Sequence, residues 1–180
     1  MVRLFVAVTL SEASVARLTR LQAGLPGARW VAPENLHCTL RFLGEVEAPM
    51  QGPIEDALAG VRMPPFELAV RGIGWFPERK PPKVLWAGLE PPEPLVRLHR
   101  RVEGALRRLA LPRPRAQRFL PHVTVARLRD VPMKRFAEYA RDHHELAAEP
   151  FGVDEFVLFS STLKPAGSEY RREAIFPLRG

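Results

Sequence analysis

Between Phe66 and Ile73 the apolar residues Phe66, Leu68 and Val70 fall on alternate positions, the spacing of one face of a strand. Three segments have helical spacing instead. Val15, Leu18 and Leu21 recur after Ser11, a residue suited to cap a helix running to about Leu21. Ile54, Ala57, Leu58 and Val61 form a stripe within Pro49–Val61, and Leu95, Leu98, Val102 and Leu106 form another within Glu93–Leu109. Pro132 to about Ala148 is expected to be mostly helical. Strands are expected over Arg3–Leu10 and Val84–Leu89, with a closing hairpin of Phe151–Leu163 and Tyr170–Leu178 around Pro165-Ala166-Gly167-Ser168. Gly74–Lys83, with Pro77, Pro81 and Pro82, reads as a loop, as does the basic stretch Pro112–Arg118.

Two further strands carry a polar face where a core strand would be apolar. In Asn35-Leu36-His37-Cys38-Thr39-Leu40-Arg41-Phe42-Leu43-Gly44, alternation puts His37 and Thr39 on one side and Cys38 and Leu40 on the other. Phe119-Leu120-Pro121-His122-Val123-Thr124-Val125-Ala126-Arg127 repeats the arrangement with His122 and Thr124. The histidines stand close to half the chain apart. The order strand, helix, His-Thr strand, helix, strand occurs once from Arg3 and again from Val84. The chain is therefore read as α+β: residues 1–180 as one domain of two intertwined pseudo-symmetric lobes, with mostly antiparallel sheets flanking a central cleft. Each lobe contributes one His-x-Thr pair to that cleft.

Composition narrows the classes. A hydrophobic fraction of 46% suits a globular chain, and no apolar run approaches the length of a membrane span. The opening Met1–Val8 reads as a first strand and not as a signal peptide, so a cytoplasmic monomer is expected. Cys38 is the sole cysteine, which leaves no internal disulfide and no cysteine-based zinc site. Twenty-seven basic residues against 20 acidic give a net charge of +7, which favours an anionic partner, nucleic acid first. Arg79, Lys80, Lys83, Arg113, Arg115 and Arg118 are candidates for a rim along an RNA backbone. Trp75, Phe76, Phe119 and Phe5 are candidates for stacking on a terminal base, although core packing explains any one of them, Phe5 above all.

An imidazole titrates near neutrality, so one ring of a facing pair can take a proton while the other gives one. Two such rings astride a phosphorus centre suit in-line displacement. Thr39 and Thr124 would hydrogen-bond phosphate oxygens, Arg127 would neutralise their charge, and Arg41 would assist if alternation continued through its strand. The scheme needs no metal or cofactor. His143-His144 lacks a second ligand cluster, and His99, among Arg97, Arg100 and Arg101, is expected to be exposed. Cys38 points away from His37 and belongs to the core, and Gly72-Ile73-Gly74 is too short for a phosphate loop.

The pair His37-Cys38-Thr39-Leu40 and His122-Val123-Thr124-Val125 resembles the twin signature of the 2H phosphoesterase superfamily. The chain is most similar there to the bacterial and archaeal RNA 2′,3′-cyclic phosphodiesterases, also called 2′-5′ RNA ligases. The similarity extends to Arg3–Val8, Phe42-Leu43-Gly44, Pro121–Arg127 and the Tyr170 hairpin. It implies metal-independent hydrolysis of RNA ends carrying a 2′,3′-cyclic phosphate, including those of tRNA halves, to 2′-phosphate ends. It further implies His37 as the acid on the leaving 3′-oxygen, His122 as the base on water, Arg127 as a phosphate ligand, and ligation as the reverse reaction. Two alternatives stay open: a small substrate such as ADP-ribose 1″,2″-cyclic phosphate, and a non-catalytic RNA-binding module.

Overall fold

The computed structural model describes residues 1–79, 81–112, 118–165 and 167–180. Lys80, Arg113 and Arg115 of the expected rim, and Ala166 of the expected turn, lie outside them. Among the described residues, nine strands and four α-helices follow in the order β1 (Val2–Thr9), α1 (Glu12–Thr19), β2 (Ala28–Trp30), β3 (His37–Val46), α2 (Gln51–Ala59), β4 (Phe66–Phe76), β5 (Val84–Glu90), α3 (Pro92–Leu106), β6 (His122–Leu128), α4 (Met133–His143), β7 (Phe151–Val153), β8 (Glu155–Lys164) and β9 (Gly167–Pro177). Ser11 caps α1 as expected, its hydroxyl accepting from the Ser14 amide at 3.2 Å. The α3 stripe of Leu95, Leu98, Val102 and Leu106 is buried to 4% exposure or less. Each such side chain contributes roughly 1.5–3 kcal/mol of apolar burial.

The strands lie in the order β7-β4-β5-β6-β3-β1-β8-β9, with β2 attached to β6, and every described ladder is antiparallel. The α+β reading holds, and the duplication is visible in the order itself. From β1, the path β1-α1-β3-α2-β4 is matched by β5-α3-β6-α4-β8. The central strands β3 and β6 meet through a single register pair, Cys38 with Val123. On one side β3 pairs with β1; on the other, β6 pairs with β5. The pseudo-twofold relation therefore centres on the junction of the two His-Thr strands.

Three elements differ from the sequence reading. Residues 74–76, expected in a loop, continue β4: Gly74, Trp75 and Phe76 pair with Trp86, Leu85 and Val84. The strand survives because Gly74 leaves room for the Trp86 indole, which a β-carbon there would strike, and it ends where Pro77 has no amide to donate. The expected strand Phe151–Leu163 is broken at Asp154. Its first part pairs with β4 and its second with β1, so one sequence run serves opposite arms of the sheet. The expected helix to Ala148 stops at His143, after which Leu146 and Ala148 bond back to Gly72 and Val70 of β4.

Candidate active site

Opposed residues of an antiparallel pair share a face, and Cys38 and Val123 are opposed and fully buried. Their neighbours His37, Thr39, His122 and Thr124 therefore all project from the other face, and all four are half-buried. The repeated motif delivers two imidazoles and two hydroxyls to one place, as the sequence predicts.

Each imidazole is held the same way. His37 Nδ1 lies 2.6 Å from the carbonyl oxygen of Asn35, and His122 Nδ1 lies 2.7 Å from that of Leu120. A carbonyl only accepts, so both rings carry their neutral-state proton on Nδ1 and keep Nε2 for chemistry. Asn35 is itself fixed by donating from Nδ2 to the Ser168 carbonyl at 2.8 Å. His37 Nε2 is 3.0 Å from Thr39 Oγ1, which donates to the neutral ring and would accept from the protonated one. Burial pulls the His37 pKa below its usual 6.5. The Asn35 carbonyl partly offsets this, and repulsion from His122 adds to it. Burial lowers His122 as well, against the Leu120 carbonyl.

Aromatic walls surround both rings. His37 packs at 4.9 Å from Phe5 and edge-on to Tyr170 at 5.4 Å; His122 packs edge-on to Phe76 at 5.3 Å and 6.0 Å from Trp86. Phe5 is 2% exposed and stacks on Phe159, so it backs His37 and has no free face for a base, contrary to its candidacy as a substrate contact. Trp75 is likewise occupied, edge-on to Phe136 beneath α4. Two hollows lie elsewhere: one of about 810 Å³ runs along β1, β8 and β9 as far as Tyr170, and one of about 670 Å³ lies beside α1; neither is lined by the four His-Thr side chains.

The strands then do something alternation does not foresee. In β3, Ala7 opposes Thr39 but Val6 opposes Arg41, leaving Leu40 as an extra residue. In β6, Trp86 opposes Thr124 but Leu85 opposes Ala126, leaving Val125 extra. Each motif carries a β-bulge directly after its threonine, and a bulge reverses the facing of the residues beyond it. Arg41 consequently turns inward. It is 6% exposed, with Nε 3.2 Å from Glu103 Oε1 and Nη2 donating to the Pro112 carbonyl at 2.6 Å. Its candidacy as a phosphate ligand is withdrawn. The residue brought back to the histidine face is the fifth after each histidine: Arg127, exposed, in β6, and Phe42 in β3. Phe42 is 69% exposed, opposes Phe5, and has its ring 6.0 Å from it. Sequence reasoning missed Phe42, although its match to Arg127 was available by aligning the two motifs beyond their fourth residue.

Cys38 is in the core, where burial pushes its thiol up to about 12. Arg79, Lys83 and Arg118 are exposed. Among the described residues, no three His, Cys, Asp or Glu side chains form a metal-ligating group, and no helix is long and apolar enough to cross a membrane.

The family model for LigT-like phosphoesterases matches residues 8–86 and again residues 89–170, once per half of the duplication. An RNA 2′,3′-cyclic phosphodiesterase of Archaeoglobus fulgidus is 34% identical over 97% of this chain and 99% of its own. The crystal structure of TT0787 of Thermus thermophilus superposes with a TM-score of 0.83 at 32% identity, covering 99% of this chain and 98% of the other. That of E. coli LigT complexed with 3′-AMP gives 0.75 at 25% identity, covering 99% of each chain.

Proposed function

The chain belongs to the LigT-like phosphoesterase family, and we propose that it hydrolyses RNA 2′,3′-cyclic phosphate ends to 2′-phosphate ends by paired-histidine acid–base catalysis. One observation carries this reading. Two imidazoles from two halves of the chain are each pinned through Nδ1 to the carbonyl two residues earlier, which leaves both Nε2 atoms on one shared face. A binding surface would not require two opposed, identically tethered titratable groups.

In the proposed reaction neutral His122 takes a proton from water through Nε2 as the water oxygen forms a bond to phosphorus. The bond from phosphorus to O3′ breaks, and protonated His37 gives its Nε2 proton to O3′. The product is a 2′-phosphate with a free 3′-hydroxyl. The proton then on His122 and the vacancy on His37 are reset by exchange with water. An anionic phosphate between the rings raises both depressed pKa values and keeps one proton on the pair. Arg127 neutralises charge on the non-bridging oxygens, with Thr39 and Thr124 as hydroxyl donors. When His37 is protonated, its Nε2 no longer accepts from Thr39, so the Thr39 hydroxyl is free to donate to phosphate while the Nε2–H serves O3′. Phe42, the exposed aromatic on the same face, receives the terminal base. An RNA 5′-hydroxyl taking the place of water on the same cyclic phosphate, losing its proton to His122 as the P–O3′ bond breaks and O3′ gains a proton from His37, would give a 2′-5′ linkage.

The test is hydrolysis of an RNA oligonucleotide ending in a 2′,3′-cyclic phosphate, in EDTA, with the product's phosphate position identified. A 2′-phosphate is expected. A 3′-phosphate would retain the histidine pair but overturn the leaving oxygen. No turnover of this RNA, with turnover of ADP-ribose 1″,2″-cyclic phosphate, would move the activity to small cyclic phosphates.

A further inference from the structure

Among the described helices, α3 carries the densest run of exposed arginines. Arg97, Arg100 and Arg101 are all exposed, and their spacing puts them within an arc of about 100° on the side away from the buried leucines. Arg107 and Arg108, also exposed, continue the row through the turn after the helix. None of the five forms an ion pair among the described residues. Glu103, the acidic residue on the nearby flank, is taken by Arg41. At Gly104, in the middle of the row, nothing stands within 4 Å of where a side chain would begin, so the helix backbone there is open to an approaching chain.

A generally arginine-rich composition would spread such residues over every helix. It does not. The duplication makes α1 the counterpart of α3, and the exposed positions of α1 are Glu12, Ala13, Ala16 and Thr19; its own arginine, Arg17, is half-buried and bonded to the Ala147 carbonyl, and only Arg20 is an exposed arginine at its end. In α2 the charged side chains are Glu55 and Asp56, and in α4 Arg135 and Arg141 are paired with Glu138 and Asp142, which leaves Lys134 as its one exposed, unpaired cation among the described residues. The unpaired positive charge is concentrated on one of two matched helices. Five like charges held together without partners repel one another, a cost that an anionic ligand removes.

The row lies across the sheet from the reaction face, because the leucines beneath it pack in one cluster with Cys38 and Val123 while the histidines project from the other face, so a strand held at both places must pass round the molecule. His99, between Arg97 and Arg100, stacks on Phe119 at 4.2 Å and 7°, and Phe119 lies between exposed Arg118 and the short run leading into His122. We infer that the α3 arginine row is a second contact surface for RNA, binding the phosphodiester backbone upstream of the reacting end. The inference rests on the proposed RNA-end hydrolysis for its direction, but the surface itself is read from α3. From Arg97 to Arg108 the row extends about 16 Å, enough for two or three successive phosphates of a single strand.

The variant R97Q/R100Q/R101Q, all exposed and far from the histidine tethers, tests this against two substrates. The probes are 2′,3′-cyclic AMP and a single-stranded RNA of about 12 nucleotides ending in a 2′,3′-cyclic phosphate. For the oligonucleotide, KM is expected to rise roughly tenfold with kcat unchanged, and the salt slope of log(kcat/KM) to flatten by about 2. Turnover of 2′,3′-cyclic AMP, too short to reach α3, is expected to stay at the wild-type value. An unchanged KM and salt slope on the oligonucleotide would overturn the inference. Fluorescence anisotropy with the same RNA carrying a 2′-phosphate reads the surface without turnover. If wild-type protein hydrolyses neither substrate, the proposed reaction fails. Weaker RNA binding by the triple variant would still support the α3 surface, and equal binding would remove it.

Discussion

His37 and His122 share one local tether. Each gives Nδ1–H to the carbonyl two residues earlier, so Nε2 is fixed in place without any neighbouring carboxylate. A carboxylate partner would have raised the pKa values; carbonyl tethers in a buried setting leave them low, so in the proposed reaction the upward shift has to come from the anionic substrate. His37→Ala and His122→Ala should each reduce kcat by roughly 10²–10⁴-fold with unchanged circular dichroism. Thr39→Ala and Thr124→Ala remove one hydroxyl contact each and leave both rings tethered, so a loss of about tenfold is expected. Steady-state kinetics on the cyclic-phosphate RNA checks the order. Equal losses in all four variants would indicate damaged strands and not a proton relay.

The elements decide which side chains join those rings. The bulges at Leu40 and Val125 make each His-Thr strand reverse its facing after the threonine, and α3 grips the first bulge. His99 Nδ1 donates to the Leu40 carbonyl at 2.9 Å, and Glu103, one turn on, holds Arg41. The same His99 ring stacks on Phe119, so one side chain connects the first bulge to the segment that delivers His122. His99→Ala should cost about 1–2 kcal/mol of stability from the lost hydrogen bond and stack, and lower kcat more than it raises KM. His99→Gln, which retains a donor but not the ring, should recover stability more than kcat; equal recovery of both would make His99 merely structural. The sequence made the His-Thr faces legible because period-two alternation and repetition agreed. It also held a contradiction that marks the bulge. Arg127 stands five residues after His122, an odd offset that strict alternation assigns to the core face, yet its charge demands the other. Resolving that in favour of charge would have moved Arg41 inward and Phe42 outward. The His99 contact was not legible, because a histidine flanked by Arg97, Arg100 and Arg101 has the local pattern of a solvated face, and its partners Leu40 and Phe119 are distant in sequence.

At the scale of the molecule, the histidine face lies where two arms of the sheet meet, β6 and its neighbours on one side and β3 and its neighbours on the other, and along those two strands the join is narrow. The β3–β6 ladder holds the single pair Cys38–Val123, whereas β1–β3 and β5–β6 are long ladders. The duplicated halves are knitted together, because β8 of the second half pairs with β1 of the first, β4 of the first pairs with β5 of the second, and the largest apolar cluster includes residues of both. Rigid separation of the lobes would have to break the β3–β6 pair while stripping that shared core. Cys38 reports on this directly. The residue is 0% exposed at the join, and burial pushes its thiol up to about 12, so neither access nor thiolate is available in the closed state. With lobes that open only by unfolding, native-state labelling by a thiol reagent should be slow and should rise with denaturant in step with the loss of circular dichroism and of tryptophan fluorescence. Labelling that proceeds in native buffer, with both spectra intact, would instead mean that the two histidine strands part as rigid bodies. The spacing of the two Nε2 atoms would then be set by that motion and not by the fold.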